Sequence, residues 1–142
     1  TTLFRSRSCA RPFLDQETIY RLYETVRKTD ACVAGVPTKD TVKIVDRDCC
    51  VSNTPSRDSV WIVQTPQVFS YELIRDAHRK ALSNESYLKS RGIILTDDAM
   101  VAEYAADCRA RMVMSSYRNI KITTPEDLII GEAFLREKEG CL

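Results

Sequence analysis

Ala31-Cys32-Val33-Ala34-Gly35-Val36 is an unbroken apolar run of six residues that stops at Pro37. It shows no polar alternation, which predicts a strand buried on both faces, as in a parallel sheet. In residues 15–29, just before it, Ile19, Leu22, Tyr23 and Val26 fall on one helical face, with Asp15 or Gln16 near the start. A helix feeding a doubly buried strand points to an α/β layered domain.

Further along, Thr41-Val42-Lys43-Ile44-Val45 alternates, and Ser59-Val60-Trp61-Ile62-Val63-Gln64 is a second β-rich run. Residues 46–58 between them are polar and rich in turn formers, so the pair predicts a β excursion away from the main sheet. Helical texture returns at Ser70, a suitable N-cap, and continues to about residue 84. Thr96-Asp97-Asp98 opens another helix, carrying Val101, Tyr104 and Ala105 on one stripe. Residues 111–115 and 120–123 are short strand candidates. The last helix has the plainest start: Thr124 as N-cap, Pro125 at the first helical position, then Glu126 and Asp127 where acids complement the helix dipole. No internal repeat or low-complexity tract is present.

The length of 142 residues, 44% hydrophobic and 29% charged, suits one ordinary globular domain. Twenty-one basic against 20 acidic residues leave a net charge of +1, which argues against general nucleic-acid binding. No run reaches the roughly 18 apolar residues of a membrane-spanning helix. The start lacks the apolar core of a secretory signal and shows no transit peptide, so the expected location is the cytoplasm, or the plastid stroma in a plant or alga. Six cysteines, at 9, 32, 49, 50, 108 and 141, form no C-x-x-C pair, and the chain has one histidine. That set predicts no zinc site; reduced, structural thiols are expected. The histidine, His78, sits in a charged helical segment and is expected to face solvent.

Four short motifs mix hydroxyls and cations with strand ends: Thr38-Lys39-Asp40-Thr41, Arg57-Asp58-Ser59-Val60-Trp61, Gln64-Thr65-Pro66-Gln67 and Asn119-Ile120-Lys121-Ile122-Thr123. Hydroxyl donors, a guanidinium fork and an ammonium are the equipment for holding phosphate. With Ala10-Arg11-Pro12-Phe13 and Thr96-Asp97-Asp98-Ala99, their order resembles the 2-C-methyl-D-erythritol 4-phosphate cytidylyltransferase family over residues 10 to about 138. Six ordered motifs are specific where no single one would be.

The resemblance implies a Rossmann-like α/β nucleotidyltransferase sandwich with a projecting β-arm at about 37–59. It also implies a homodimer formed through that arm, without nucleic acid or membrane as partner. The family transfers CMP from CTP to a methylerythritol phosphate, releasing pyrophosphate, in the non-mevalonate route to isoprenoid precursors. By the same resemblance Arg57 and Lys121 are catalytic. Arg57 would reach from the arm to the sugar phosphate in the partner's site, and Lys121 would lie near both reacting phosphates, including that of CTP. Arg11, Thr41, Thr65 and Thr96 match residues that bind the methylerythritol phosphate. The nucleophile, a phosphate monoester with a second pKa of ~6, is largely a dianion at neutral pH and needs no general base.

The chain also departs from the family. The family's glycine-rich loop with Arg and Lys, which cradles the triphosphate, has no counterpart; the four glycines stand at 35, 92, 131 and 140. Ser8 occupies the position of the aspartate that binds Mg²⁺, so the expected magnesium has no ligand there and no metal residue is assigned. Residues 10–142 are therefore expected to be the C-terminal part of a cytidylyltransferase domain, with the N-terminal part missing and the fragment inactive. Residues 1–9 are expected to be a leader foreign to the family. Thr1-Thr2-Leu3-Phe4-Arg5-Ser6 is what the end of a sequencing adapter would encode, so an assembly artefact is one source. Ribitol-5-phosphate cytidylyltransferase and a non-catalytic dimerisation or binding module are the alternative readings.

Overall fold

A computed structural model describes residues 3–6 and 10–139. Helix α1 (Gln16–Thr29) begins where the Asp15 side chain caps it, accepting from Thr18 N at 2.6 Å. It ends at Asp30, whose φ of 60° lets its N–H bond back to Val26 O at 2.9 Å. Strand β2 (Ala31–Pro37) follows at once, and all six residues of the apolar run are buried. Its alternation sorts the core. Cys32 and Ala34 meet Leu22 and Val26 of α1 on one face, whereas Ala31 and Val33 meet Phe69, Ile74, Ala99 and Ala102 on the other. The sheet is thereby covered by helices on both sides.

The main sheet has the order β1-β5-β2-β6, with β1 (Leu3–Ser6) and β6 (Arg111–Met114) at its edges and β5 (Trp61–Ser70) beside β2. β2 runs parallel to β6 but antiparallel to β5, so the parallel environment expected from its apolar run exists on one side only. Gly35 leaves no room for a side chain against β5: a Cβ there would lie 2.9 Å from Ile62 O. Helices α2 (Tyr71–Ser83), α3 (Glu85–Ser90) and α4 (Asp98–Ala106) follow β5, and α2 packs on α4 through Ala77, Ala81, Val101 and Ala105. Tyr104, placed on the buried stripe by sequence, is 37% exposed. Ser70 holds the N-cap position of α2 without a side-chain bond. Among the described residues no helix is long and apolar enough to cross a membrane.

The β excursion exists but is smaller than its pattern implied. Only β3 (Ile44–Val45) pairs, and its partner β4 (Val51–Asn53) comes from the polar stretch read as turn. The reason is local: Asp46 Oδ1 accepts from Asp48 N and Cys50 N at 3.0 and 2.9 Å, closing a tight turn and freeing residues 51–53 to pair. Every residue from 41 to 54 is exposed. A single 3-10 turn, Arg57–Ser59, leads back into β5.

Two other expectations are corrected. Residues 120–123 form no strand; Ile122 N donates once, to Ala10 O at 2.8 Å, which tethers the segment without a ladder. β5 does not stop at Gln64 but continues through the Thr-Pro-Gln motif to Ser70. The last helix, α5 (Pro125–Glu139), starts where the sequence set it. Of the cysteines, Cys32 is buried and Cys108 half-buried, while Cys49 and Cys50 are exposed on the excursion; all four are free thiols. Cys9, Cys141 and Ser8 lie outside the described residues.

Candidate active site

The motif Gln64-Thr65-Pro66-Gln67 lies where β5 leaves its ladder. Gln67 pairs with Val33 and Val63 with Gly35, so β5 advances four residues while β2 advances two. The extra residues form a bulge that includes the cis Thr65–Pro66 peptide and frees Thr65 O from sheet pairing. Asn119 takes up that carbonyl. Its Nδ2 donates to Thr65 O at 3.0 Å and to Gln64 Oε1 at 2.9 Å, with Ser115 Oγ at 3.4 Å. Gln64 Nε2 in turn donates to Ser116 O at 3.1 Å.

This cluster anchors the 115–121 loop that follows β6. Asn119 is fully buried, and its backbone O accepts from Arg11 Nη1 at 2.5 Å. Burial pulls the Arg11 guanidinium below the ordinary arginine pKa. Arg11 Nε and Asn119 Oδ1 are buried and have no hydrogen-bond partner among the described residues. Lys121, two residues beyond Asn119, is exposed. A rigid, buried amide thus precedes an exposed ammonium.

On the other side of the bulge, Thr65 and Gln67 share a cleft of about 400 Å³ with His78, Leu95, Thr96, Asp97, Asp98 and Val101. Gln67 is buried; its Nε2 donates to Asp97 Oδ2 at 2.8 Å and its Oε1 accepts from Ala99 N at 3.0 Å. Asp97 also caps α4, accepting from Met100 N at 2.8 Å. Thr96 Oγ1 lies 3.0 Å from Met100 Sδ. His78 is 46% exposed, as expected of a solvent-facing residue, but its Nε2 also meets Asp98 Oδ1 at 3.0 Å across the cleft wall.

Thr41 and Arg57 stand apart from this cleft. Thr41 is exposed on the excursion. Arg57 is held at the root, its Nη1 donating to Lys39 O at 3.2 Å. That root is tied to the Lys121 loop, because Lys39 Nζ sits 4.0 Å from the Tyr117 ring centroid and Tyr117 Oη donates to Pro37 O at 2.8 Å. The structure therefore brings Thr65 and Thr96 onto one cleft and links Arg11 to the Lys121 loop. Gln64, Gln67 and Asn119 stood in the quoted motifs without a role. No sequence signal marks them, because their partners lie 30 to 55 positions away.

Magnesium needs a set of oxygen ligands. Among the described residues no three His, Cys, Asp or Glu side chains converge. Both oxygens of Asp97 are engaged by Met100 N and Gln67 Nε2, and Asp98 Oδ1 is engaged by His78. These residues do not fit a magnesium site.

A mixed sheet with a parallel β2–β6 pair, helices on both faces and a bulged strand presenting hydroxyls to a cleft defines a nucleotidyltransferase-like α/β fold. The crystal structure of 4-diphosphocytidyl-2C-methyl-D-erythritol synthase from Anaerococcus prevotii superimposes with a TM-score of 0.83 at 37% identity, covering 94% of this chain and 58% of that one. The 2-C-methyl-D-erythritol 4-phosphate cytidylyltransferase from Thermus thermophilus gives 0.73 at 29% identity, covering 94% and 62%. The family model for 2-C-methyl-D-erythritol 4-phosphate cytidylyltransferase matches residues 7–137, and the chain belongs to that family. A relative of that name from Lachnospira eligens is 45% identical over 127 residues, 89% of this chain and 54% of the relative. One from Halalkalibacterium halodurans is 46% identical over 130 residues, 92% and 53%. The chain spans about half the length of the curated relatives it matches.

Proposed function

We propose that the protein carrying these residues transfers the cytidylyl group of CTP to 2-C-methyl-D-erythritol 4-phosphate and releases pyrophosphate. The observation that supports this beyond family membership is the bulge of β5. It turns Thr65 toward the Thr96 cleft and, through Asn119, anchors the loop bearing Lys121. In this reading a phosphate oxygen of the acceptor attacks the α-phosphorus of CTP. The new P–O bond forms as the bond to the β-phosphate oxygen breaks, and that electron pair leaves on pyrophosphate.

The attacking dianion carries no proton to remove, so the protein's task is to offset anion–anion repulsion and align the attack in line. Lys121 supplies charge beside both phosphates and Arg57 beside the sugar phosphate, with Arg11, Thr41, Thr65 and Thr96 holding the acceptor. Asp98 would repel a phosphate, so the uncharged hydroxyls of the acceptor belong at that end of the cleft. The excursion at about 37–59 serves as the arm of a homodimer and delivers Arg57 and Thr41 to the partner's site. Exposed Ile44, Val45 and Val51 supply apolar surface for that docking. The relatives from Lachnospira eligens and Halalkalibacterium halodurans are bacterial, which favours the cytoplasm over a plastid. Residues 10–142 alone, without a counterpart of the triphosphate cradle, would not turn over CTP.

The test is pyrophosphate release by the whole protein with CTP and either methylerythritol phosphate or ribitol 5-phosphate. Release with the first is expected; preference for the second overturns the substrate. Lys121→Ala and Arg57→Ala should each cut kcat/KM by roughly 10²–10³-fold with an unchanged melting temperature, the scale for removing one charge-stabilising group. A near-normal rate in either variant removes that residue from the mechanism.

A further inference from the structure

We infer that Gln64 and Gln67 are a pair of positioning residues that register two separate segments against Thr65: Gln64 the loop of Lys121, Gln67 the turn of Thr96. The inference rests on the reading of the site given above. Both glutamines are buried, at 6% and 3% exposure, and both amide ends of each are engaged. Gln64 spends its donor on Ser116 O and its acceptor on Asn119 Nδ2, both within the 115–121 loop. Gln67 spends its donor on Asp97 Oδ2 and its acceptor on Ala99 N, both at the start of α4. Two-point attachment through a planar amide fixes orientation as well as distance, and the partners fix which end is oxygen: a carboxylate must face the NH₂, and a backbone N–H the carbonyl.

Neither glutamine bonds to the other's segment in these contacts. The ladder explains why side chains do this work. Where β5 gains two residues on β2, backbone pairing lapses, and the segments carrying Lys121 and Thr96 have no strand partner of their own at that point. The two amides tie to β5 two segments that no strand ladder reaches. Because a misplacement of about 1 Å can cost ~10²-fold in rate, the clamps matter to turnover without touching substrate.

The test is a pair of crossed double-mutant cycles on kcat/KM in the whole protein. Gln64→Ala should lower kcat/KM by about tenfold or more alone. In a Lys121→Ala background its effect should fall to under about threefold, and in a Thr96→Val background it should persist in full. Gln67→Ala should do the reverse. Equal losses on every background would mean a merely structural role and overturn the inference. If an alanine variant fails to fold, Gln64→Glu and Gln67→Glu, which keep the shape and lose the amide donor, take its place.

A second readout needs no catalysis. Amide hydrogen exchange should speed up at Asn119 in the Gln64 variant with Ala99 unchanged, and at Ala99 in the Gln67 variant with Asn119 unchanged. Loosening of both segments by either variant overturns the inference. A wild-type protein that makes no cytidylyl product, yet shows this separation, refutes the proposed reaction and leaves the two clamps standing.

Discussion

Thr65 on β5 and Thr41 on the arm are matched by family resemblance to the same substrate, yet their surroundings are opposite. Thr65 is half-buried, its carbonyl held by Asn119 and its neighbours Gln64 and Gln67 bonded at both amide ends. Thr41 lies in a stretch of fourteen residues, 41–54, every one exposed, whose only sheet is a hairpin of two residue pairs, Ile44 with Asn53 and Val45 with Val51. A two-stranded hairpin is marginal alone in water. The β5 region is therefore organised by this chain, whereas the arm keeps its apolar residues Ile44, Val45 and Val51 about half exposed and uncommitted. Half of the proposed site is held by buried hydrogen bonds of this chain. In the proposed homodimer the other half would take its order from docking.

The contrast is broken or sharpened most strongly by thiol labelling. Cys32 lies at 0% exposure near the start of β2, its Sγ donating to Leu22 O at 3.3 Å, and burial pushes its pKa up to about 12. Thiolate is the reacting species, so at pH 8 only about 10⁻⁴ of Cys32 is reactive, before access is considered. Cys49 and Cys50 are exposed at the arm's turn. A maleimide or disulfide reagent should modify the pair at least ~10³-fold faster than Cys32 in the native protein, the difference vanishing in denaturant. Comparable native rates would mean that the core strand opens or the arm is covered, and mass spectrometry of the labelled peptides tells which.

Stability separates the two regions next. Asn119→Ala leaves Gln64 Oε1 and Thr65 O without their donor in a buried site, which should cost about 2–3 kcal/mol in urea unfolding. Thr41→Ala should stay within about 0.5 kcal/mol while weakening methylerythritol phosphate binding in the whole protein. A stability loss at Thr41 equal to that at Asn119 would show that the arm is packed by this chain.

What the sequence made legible follows the same division. The Ala31–Pro37 strand was readable because a six-residue apolar run admits few other fates, and α1 because its periodic face and Asp15 cap agree. The four phosphate-type motifs were readable as a set. The roles of Gln64, Gln67 and Asn119 were not, because an amide's partner lies 30 to 55 positions away and only the bulge in β5 decides which loop it meets. The His78–Asp98 contact was hidden similarly, spanning 20 positions between two helices. β4 escaped because three residues following a side-chain-closed turn leave no pattern to count.

The smallest predicted effect concerns the start of α5, just beyond Lys121, where the chain leaves the loop that Asn119 anchors. Asp127 Oδ2 accepts from Thr124 N at 2.8 Å and Thr123 N at 2.9 Å, and Asp127 N donates in return to Thr124 Oγ1 at 3.4 Å. The backbone bond from Thr123, then that from Thr124, hold the Asp127 carboxyl below its ordinary pKa. A folded-state value below the unfolded one means that the contribution is complete above the unfolded value near 3.8 and is lost as pH falls through the folded value. Asp127→Asn should therefore lower the melting temperature slightly at neutral pH and flatten its fall on acidification below about pH 4, more weakly than any change at Asn119. If the acid limb of the melting curve is the same in both proteins, the carboxylate is not what fastens this end of the loop. Lys121 would then be held by the β5 side alone, through Asn119 and Gln64.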